Sequence, residues 1–172
     1  MPYELEKLNV LLVEDNFSMR ILLRDVLAAF GIKNVISISD GGKAWRELRG
    51  FPADIAIVDW NMRPVSGLQF VKRVRQGRDS PNPFLPVIML TAYSKRRRVM
   101  IGRDAGVTEF LVKPVTPKRL YERIATIIEH NRGFIHSQTY FGPDRRRSDK
   151  GVIGAERRGA AQSVFNDGKR LQ

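Results

Sequence analysis

The stretch NVLLVED, residues 9–15, runs a short apolar segment straight into two acids. It is too short for a helix and is bounded by polar residues, so it reads as a buried strand. Four more runs of the same kind follow: VISIS (35–39), IAIVD (55–59), VIML (87–90) and FLV (110–112). The stretches between them carry a helical period. In FSMRILLRDVLAAF (17–30), Ile21, Leu22, Val26 and Phe30 recur at helical spacing before a capping Gly31. In KRLYERIATIIEH (118–130), Leu120, Ile124, Ile127 and Ile128 share one face. Strand and helix alternate five times, which predicts an α/β fold: a doubly wound, five-stranded parallel sheet covered on both faces through right-handed crossovers.

Sheets of this kind bind ligands at the carboxyl ends of their strands, so the residues that follow each apolar run matter most. Glu14 and Asp15 follow the first, Asp59 ends the third, Thr91 follows the fourth, and Lys113 and Pro114 follow the fifth. One acid at a strand end only keeps a loop soluble. Three acids, a hydroxyl and a lysine converging on one rim call for another explanation. Three carboxylates suit Mg²⁺, a hard cation that takes oxygen ligands and keeps several waters. A lysine and a hydroxyl opposite them suit the oxygens of a phosphoryl group.

At 172 residues, 42% of them hydrophobic, the chain has material for one core and an appendage. No apolar run reaches the length of a transmembrane segment, and MPYELEKLNV lacks the basic-then-apolar order of a signal peptide, so a cytoplasmic location is expected. With no cysteine and two histidines, any metal is expected on oxygen ligands. The net charge of +12 and pI near 10.6 point to a polyanionic partner. The charge is spread over the whole chain: residues 1–133 hold 22 Lys and Arg against 14 Asp and Glu, and residues 134–172 hold 8 against 4.

The motifs VEDN, VDWNM, LTAY and FLVKP resemble those of the receiver domain of CheY-like response regulators, which have a flavodoxin-like fold, over roughly residues 7–131. The resemblance implies that Asp59 is the phosphoacceptor. It also implies that Asp15, Asp59 and the backbone carbonyl of Asn61 bind Mg²⁺, with Glu14 acting through water. Lys113 would pair with the phosphoryl group ahead of a cis peptide to Pro114, and Thr91 and Phe110 would form the switch pair. The implied partners are a sensor histidine kinase or phosphotransfer protein and a downstream protein target such as motility machinery. An enzyme is not expected. A haloacid-type phosphatase would carry Asp-x-Asp on its first strand, and VEDN does not supply it. One departure from the family is that Arg63 stands where receivers usually have proline, with Pro64 after it and the family's glycine in place as Gly67.

Two further features lie in this region. SKRRR (94–98) puts four cations at the start of the fourth helix, against its dipole, and reads as a solvated face. GRDSPNPFLP (77–86) reads as a proline-rich connection with no chemistry assigned to it.

The periodicity stops after residue 133. Residues 134–172 form an arginine-rich tail, read as disordered or draped on the domain, with too few apolar residues for a second core. Within it Gly-x-acid-Arg-Arg occurs twice, as Gly142-Pro-Asp-Arg-Arg and Gly154-Ala-Glu-Arg-Arg, and Arg146-Arg147-Ser148-Asp149 is also Arg-x-x-Asp. Arginine forks onto the guanine edge and its plane stacks on bases. The tail resembles the arginine-rich extension of CheY-like cyclic-di-GMP effectors. That resemblance implies a nucleotide held by Arg145, Arg146 and Asp149, with Arg157 and Arg158 as a second clamp and Tyr140 or Phe141 stacking. The open alternative is a basic tail that binds a protein partner or membrane surface without nucleotide specificity. Nucleic acid is disfavoured, because Asp144, Asp149, Glu156 and Asp167 would repel a continuous phosphate backbone.

Overall fold

A computed structural model describes residues 3–92, 96–130, 133–137 and 139–144, and the backbone of 163–165. Five strands, β1 (Asn9–Val13), β2 (Asn34–Ile38), β3 (Ile55–Asp59), β4 (Val87–Thr91) and β5 (Glu109–Val112), pair in parallel in the order β2-β1-β3-β4-β5. The helices α1 (Phe17–Ala29), α2 (Gly41–Leu48), α3 (Gly67–Gln76), α4 (Arg96–Ala105) and α5 (Pro117–Glu129) alternate with them. The expected doubly wound fold is borne out. The strand order reverses between β1 and β3, and that is where such a sheet opens a crevice at its carboxyl edge.

Successive strand residues point to opposite faces, so each strand feeds two cores. Leu11, Val13, Val58 and Met89 pack with Trp45, Leu48, Phe70, Val71 and Val74 beneath α2 and α3. Val10, Leu12, Ile57, Ile88 and Leu90 pack with Leu23, Leu27, Leu120, Ile124 and Ile127 beneath α1 and α5. Burial on both faces is why β1, β3 and β4 read as unbroken apolar runs. The run at 35–39 was also read as buried. The structure places β2 at the sheet edge, where its residues Val35 to Ile38 are half-buried.

The core face of α1 differs from the expected one. Leu23 and Leu27 are buried and Met19, Val26 and Phe30 pack partly against the core, whereas Ile21 and Leu22 are 42% and 52% exposed. The stripe through residues 19, 23, 26, 27 and 30 meets Leu12 and α5, where the Phe30 ring lies edge-on to Tyr121 with centroids 5.6 Å apart. Residue 22 lies about a quarter of a turn from the centre of that stripe and residue 21 about half a turn. Both choices have helical period, and only packing against α5 separates them.

Beyond α5 the chain forms β6 (Phe134–His136) and β7 (Phe141–Pro143), an antiparallel hairpin, and β8 (Ser163–Phe165) pairs antiparallel with the other edge of β6. The hairpin docks on the connection 77–86. Phe84 lies 5.0 Å from Phe134 and 5.3 Å from Phe141, both edge-on. Phe134 is buried although it lies in the stretch read as coreless, because Phe84 and Arg75 of the domain supply its packing partners. No helix among the described residues is long and apolar enough to cross a membrane.

Leu27→Ala is expected to cost about 2–5 kcal/mol of unfolding free energy by urea titration, and Ile21→Ala less than about 0.5 kcal/mol. The opposite order would mean that α1 presents its other face to the core.

Candidate functional site

The rim is assembled at the switch point. Glu14 leaves β1 with its amide donating to the Ile38 carbonyl, and Asp59 is the last residue of β3. Glu14 and Asp59 are buried at 1% and 5% exposure, while Asp15 is exposed. Oxygens of Glu14, Asp15 and Asp59 lie within 4.8 Å of one another. Burying two carboxylates side by side is unfavourable unless a cation joins them. Lys113 supplies one: its Nζ is 2.8 Å from Asp59 Oδ1 and 2.9 Å from Glu14 Oε2. The Lys113–Pro114 peptide is cis, and the Lys113 amide donates to the Thr91 carbonyl at 2.8 Å. Glu14 after β1 and Asp59 at the end of β3 thus converge on the ammonium group of Lys113, which follows β5.

Further hydrogen bonds set the orientation of the acids. The Asn61 amide donates to Asp59 Oδ2 at 3.1 Å and the Asn16 amide to Glu14 Oε1 at 3.2 Å. Asn16 also caps α1, its Oδ1 accepting from the Met19 amide. Arg20, one turn into that helix, donates to the Glu14 carbonyl at 2.6 Å. Sequence reasoning passed over Asn16 and Arg20, although an asparagine just before a helical period is a recognisable start signal.

Glu14 is pushed above the ordinary carboxylate range, first by burial and then by the Asp59 charge, against the lowering hydrogen bond from Lys113. Burial alone would lower Lys113, but hydrogen bonds and attraction from Asp59 and Glu14 outweigh it and raise its pKa. Three hard oxygen donors within a few ångströms, one exposed and two buried, fit a magnesium ion in donor type and spacing.

The remaining predicted residues fall into two groups. Thr91, 1% exposed, ends β4 beside the rim. Phe110, on β5, is half-buried and packs against the core that contains Trp60. A Cβ built on Gly102 of α4 would come within 2.7 Å of the Phe110 ring and 2.9 Å of Trp60, so α4 leaves a slot for both rings. A glycine inside a helix costs about 1 kcal/mol and signals such a contact, which the sequence reading did not use. Arg98, in the basic run read as a solvated face, holds its guanidinium 5.5 Å from the centre of the Trp60 ring. The Arg63–Pro64 peptide is cis. A Cβ on Gly67 would collide with the Asp59 carbonyl oxygen. The loop after Asp59 therefore closes tightly on the strand end.

Tyr140 and Phe141 are not at the rim. They belong to the hairpin, next to the C-terminal ends of α3 and α4 at the opposite edge of the sheet, where the Tyr140 hydroxyl donates to the Pro143 carbonyl. Arg145, Arg146, Asp149, Arg157 and Arg158 lie outside the described residues.

The family described as Response regulator receiver domain matches residues 10–125. The chain belongs to the response regulator receiver family. Chemotaxis protein CheY1 of Helicobacter pylori is 33% identical over 125 residues, covering 72% of this chain and 99% of that protein. Chemotaxis protein CheY of Pseudomonas aeruginosa is 33% identical over 126 residues, covering 73% and 100%. Among solved structures, chemotaxis protein CheY4 of Vibrio cholerae superposes with a TM-score of 0.65 at 32% identity, over 70% of this chain and 98% of that one. These matches leave the extension after α5 largely uncovered. This receiver is thus a CheY-like response regulator of two-component signalling with an acidic phosphorylation-site cluster.

The Glu14–Lys113 contact predicts a signed pH dependence. A carboxyl raised in the fold binds a proton more readily there than in the unfolded chain, so its contribution to stability is largest at low pH and declines as pH rises through the raised value. Lys113→Met removes the cation that limits this decline. The variant should be about 2–4 kcal/mol less stable near neutral pH, with the deficit shrinking towards about pH 4 as Glu14 takes up a proton. Urea midpoints across that range check it, and a deficit independent of pH would contradict the coupling.

Proposed function

We propose that the chain is a phosphorylation switch in which Asp59 accepts a phosphoryl group and Phe110 with α4 transmits the change. The observation that carries this reading is the Lys113 ammonium held between Asp59 and Glu14 with a third carboxylate beside them. In the transfer, an Asp59 carboxylate oxygen attacks phosphorus in line, and the bond to the donor's leaving atom breaks with its electron pair. Lys113 moves from the carboxylates onto a phosphoryl oxygen. Glu14 and Asp15, with Asp59 and the Asn61 carbonyl, would hold Mg²⁺, which when bound neutralises the developing charge. Thr91 and Lys113 take the phosphoryl oxygens on the other side. The acceptor is consumed once per event, so the protein acts as a switch without turnover of a substrate, in the cytoplasm.

The donor is a sensor histidine kinase or a phosphotransfer protein. Phe17, Ile21 and Leu22, exposed on α1 in the segment that follows the acid pair, would offer that partner an apolar contact. The output goes to a protein target such as motility machinery, a reading supported by similarity to chemotaxis proteins. The tail carries a second input, cyclic-di-GMP, held by the duplicated acid-Arg-Arg units.

One observation favours the alternative, a basic tail that binds a protein or membrane surface without reading guanine. The Phe141 ring is flanked by Phe84, Phe134 and His136, and the Tyr140 hydroxyl is taken by Pro143, so both proposed stacking groups are partly occupied.

With acetyl phosphate and Mg²⁺, Asp59 should be labelled, and Asp59→Asn should abolish the label. Labelling that survives that substitution or the removal of Mg²⁺ overturns the assignment. Calorimetric titration with cyclic-di-GMP should show Arg146→Ala weakening binding roughly 5- to 150-fold, with Lys169→Ala nearly silent. Equal losses in the two variants, or equal affinity for GTP, would establish the charge-reading alternative.

A further inference from the structure

At the edge of the sheet opposite Asp59, Arg75 of α3 is buried, and burial pushes its guanidinium down to about 9, which leaves it cationic at neutral pH. No carboxylate among the described residues pairs with it. Three backbone carbonyls do: Gly106 takes Nε at 3.0 Å, Pro83 one terminal nitrogen at 2.7 Å and Leu85 the other at 2.7 Å. The Phe134 ring closes over the remaining side, 5.1 Å from Arg75 Cζ. One side chain therefore binds together the connection before β4, the end of α4 and the hairpin.

Gly106 is the left-handed residue directly after α4, with φ of +97°. The hairpin touches this residue too, since a Cβ on Gly142 would lie 3.0 Å from Gly106 Cα. Four residues earlier in the same helix is Gly102, whose missing Cβ makes room for Phe110 and Trp60. A single helical turn separates the hairpin's hold on α4 from the slot for Phe110. A helix moves largely as a rigid unit, and close-packed contacts shift between discrete arrangements, so holding the end of α4 against Arg75 and Gly142 restrains shifts of the helix relative to Phe110.

We propose that the hairpin of β6 and β7 is a built-in clamp on the end of α4 that restrains the Phe110 switch and so couples the arginine-bearing extension to phosphorylation at Asp59. The proposal rests on the reading of Asp59 and Phe110 given above. Its regulatory consequence follows from linkage. A ligand of the extension that loosens the hairpin favours the phosphorylated arrangement, and phosphorylation loosens the hairpin by the same factor.

The test uses the full chain with Phe84→Ala and, separately, Gly142→Val, which weaken hairpin docking without touching the rim. Two quantities are measured: amide hydrogen exchange at residues 102–110, and the initial rate of Asp59 labelling by acetyl phosphate in Mg²⁺. The expected result for both variants is exchange at 102–110 and labelling each at least about threefold faster than wild type. If amides of 134–143 exchange freely while 102–110 is unchanged, or labelling is unchanged or slower, the clamp is overturned. If wild type takes no label at Asp59, the phosphoacceptor reading fails instead, and the exchange at 102–110 still decides whether the hairpin restrains α4. Should one variant fold poorly by circular dichroism, the other decides.

Discussion

The site depends on a single cation. Two carboxylates are buried side by side at the carboxyl edge of the sheet, and their mutual repulsion in a desolvated site would draw a proton or separate β1 from β3. The Lys113 ammonium lies within 3 Å of both, so its position after β5 links the two central strands to the far edge of the sheet. The same bond sets the chemistry. In the transfer proposed above, the lysine held on the carboxylates would move to a phosphoryl oxygen, and the acids it leaves would then hold the divalent cation. Asn16, Arg20 and Asn61 set the angles of the acids, and Thr91 supplies the carbonyl that anchors the lysine backbone.

Legibility in the sequence followed the physics of burial. Strands buried on both faces leave continuous apolar runs, and β1, β3 and β4 were found from those runs alone. The rim was legible for a related reason, since residues that follow such strands share one edge of the sheet whatever the loops do. Faces were harder. In α1 two apolar stripes share the helical period, and the choice of Leu23 and Leu27 over Ile21 and Leu22 comes from contact with Leu12 and α5. The Gly102 slot and the Arg98–Trp60 contact join residues distant in sequence, and no local pattern announces them apart from the misplaced glycine itself.

The extension shows the same limit from the other side. Phe134 and Phe141 are irregularly spaced and could not form a core of their own, yet Phe84 and Arg75 of the receiver complete one for them. A proline-rich connection that carried no assigned chemistry is the surface on which the appendage rests.

The central claim is that Lys113 and the three acids form one phosphoryl site. A structure determined with Mg²⁺ and beryllofluoride, which imitates a phosphoryl group on a carboxylate, tests it most directly. The account predicts beryllium bonded to an Asp59 oxygen, a cation among Glu14, Asp15 and Asp59, and Lys113 Nζ transferred from the carboxylates to fluorine. Asp59 left free, with Lys113 still bridging it to Glu14 under saturating beryllofluoride, would contradict it.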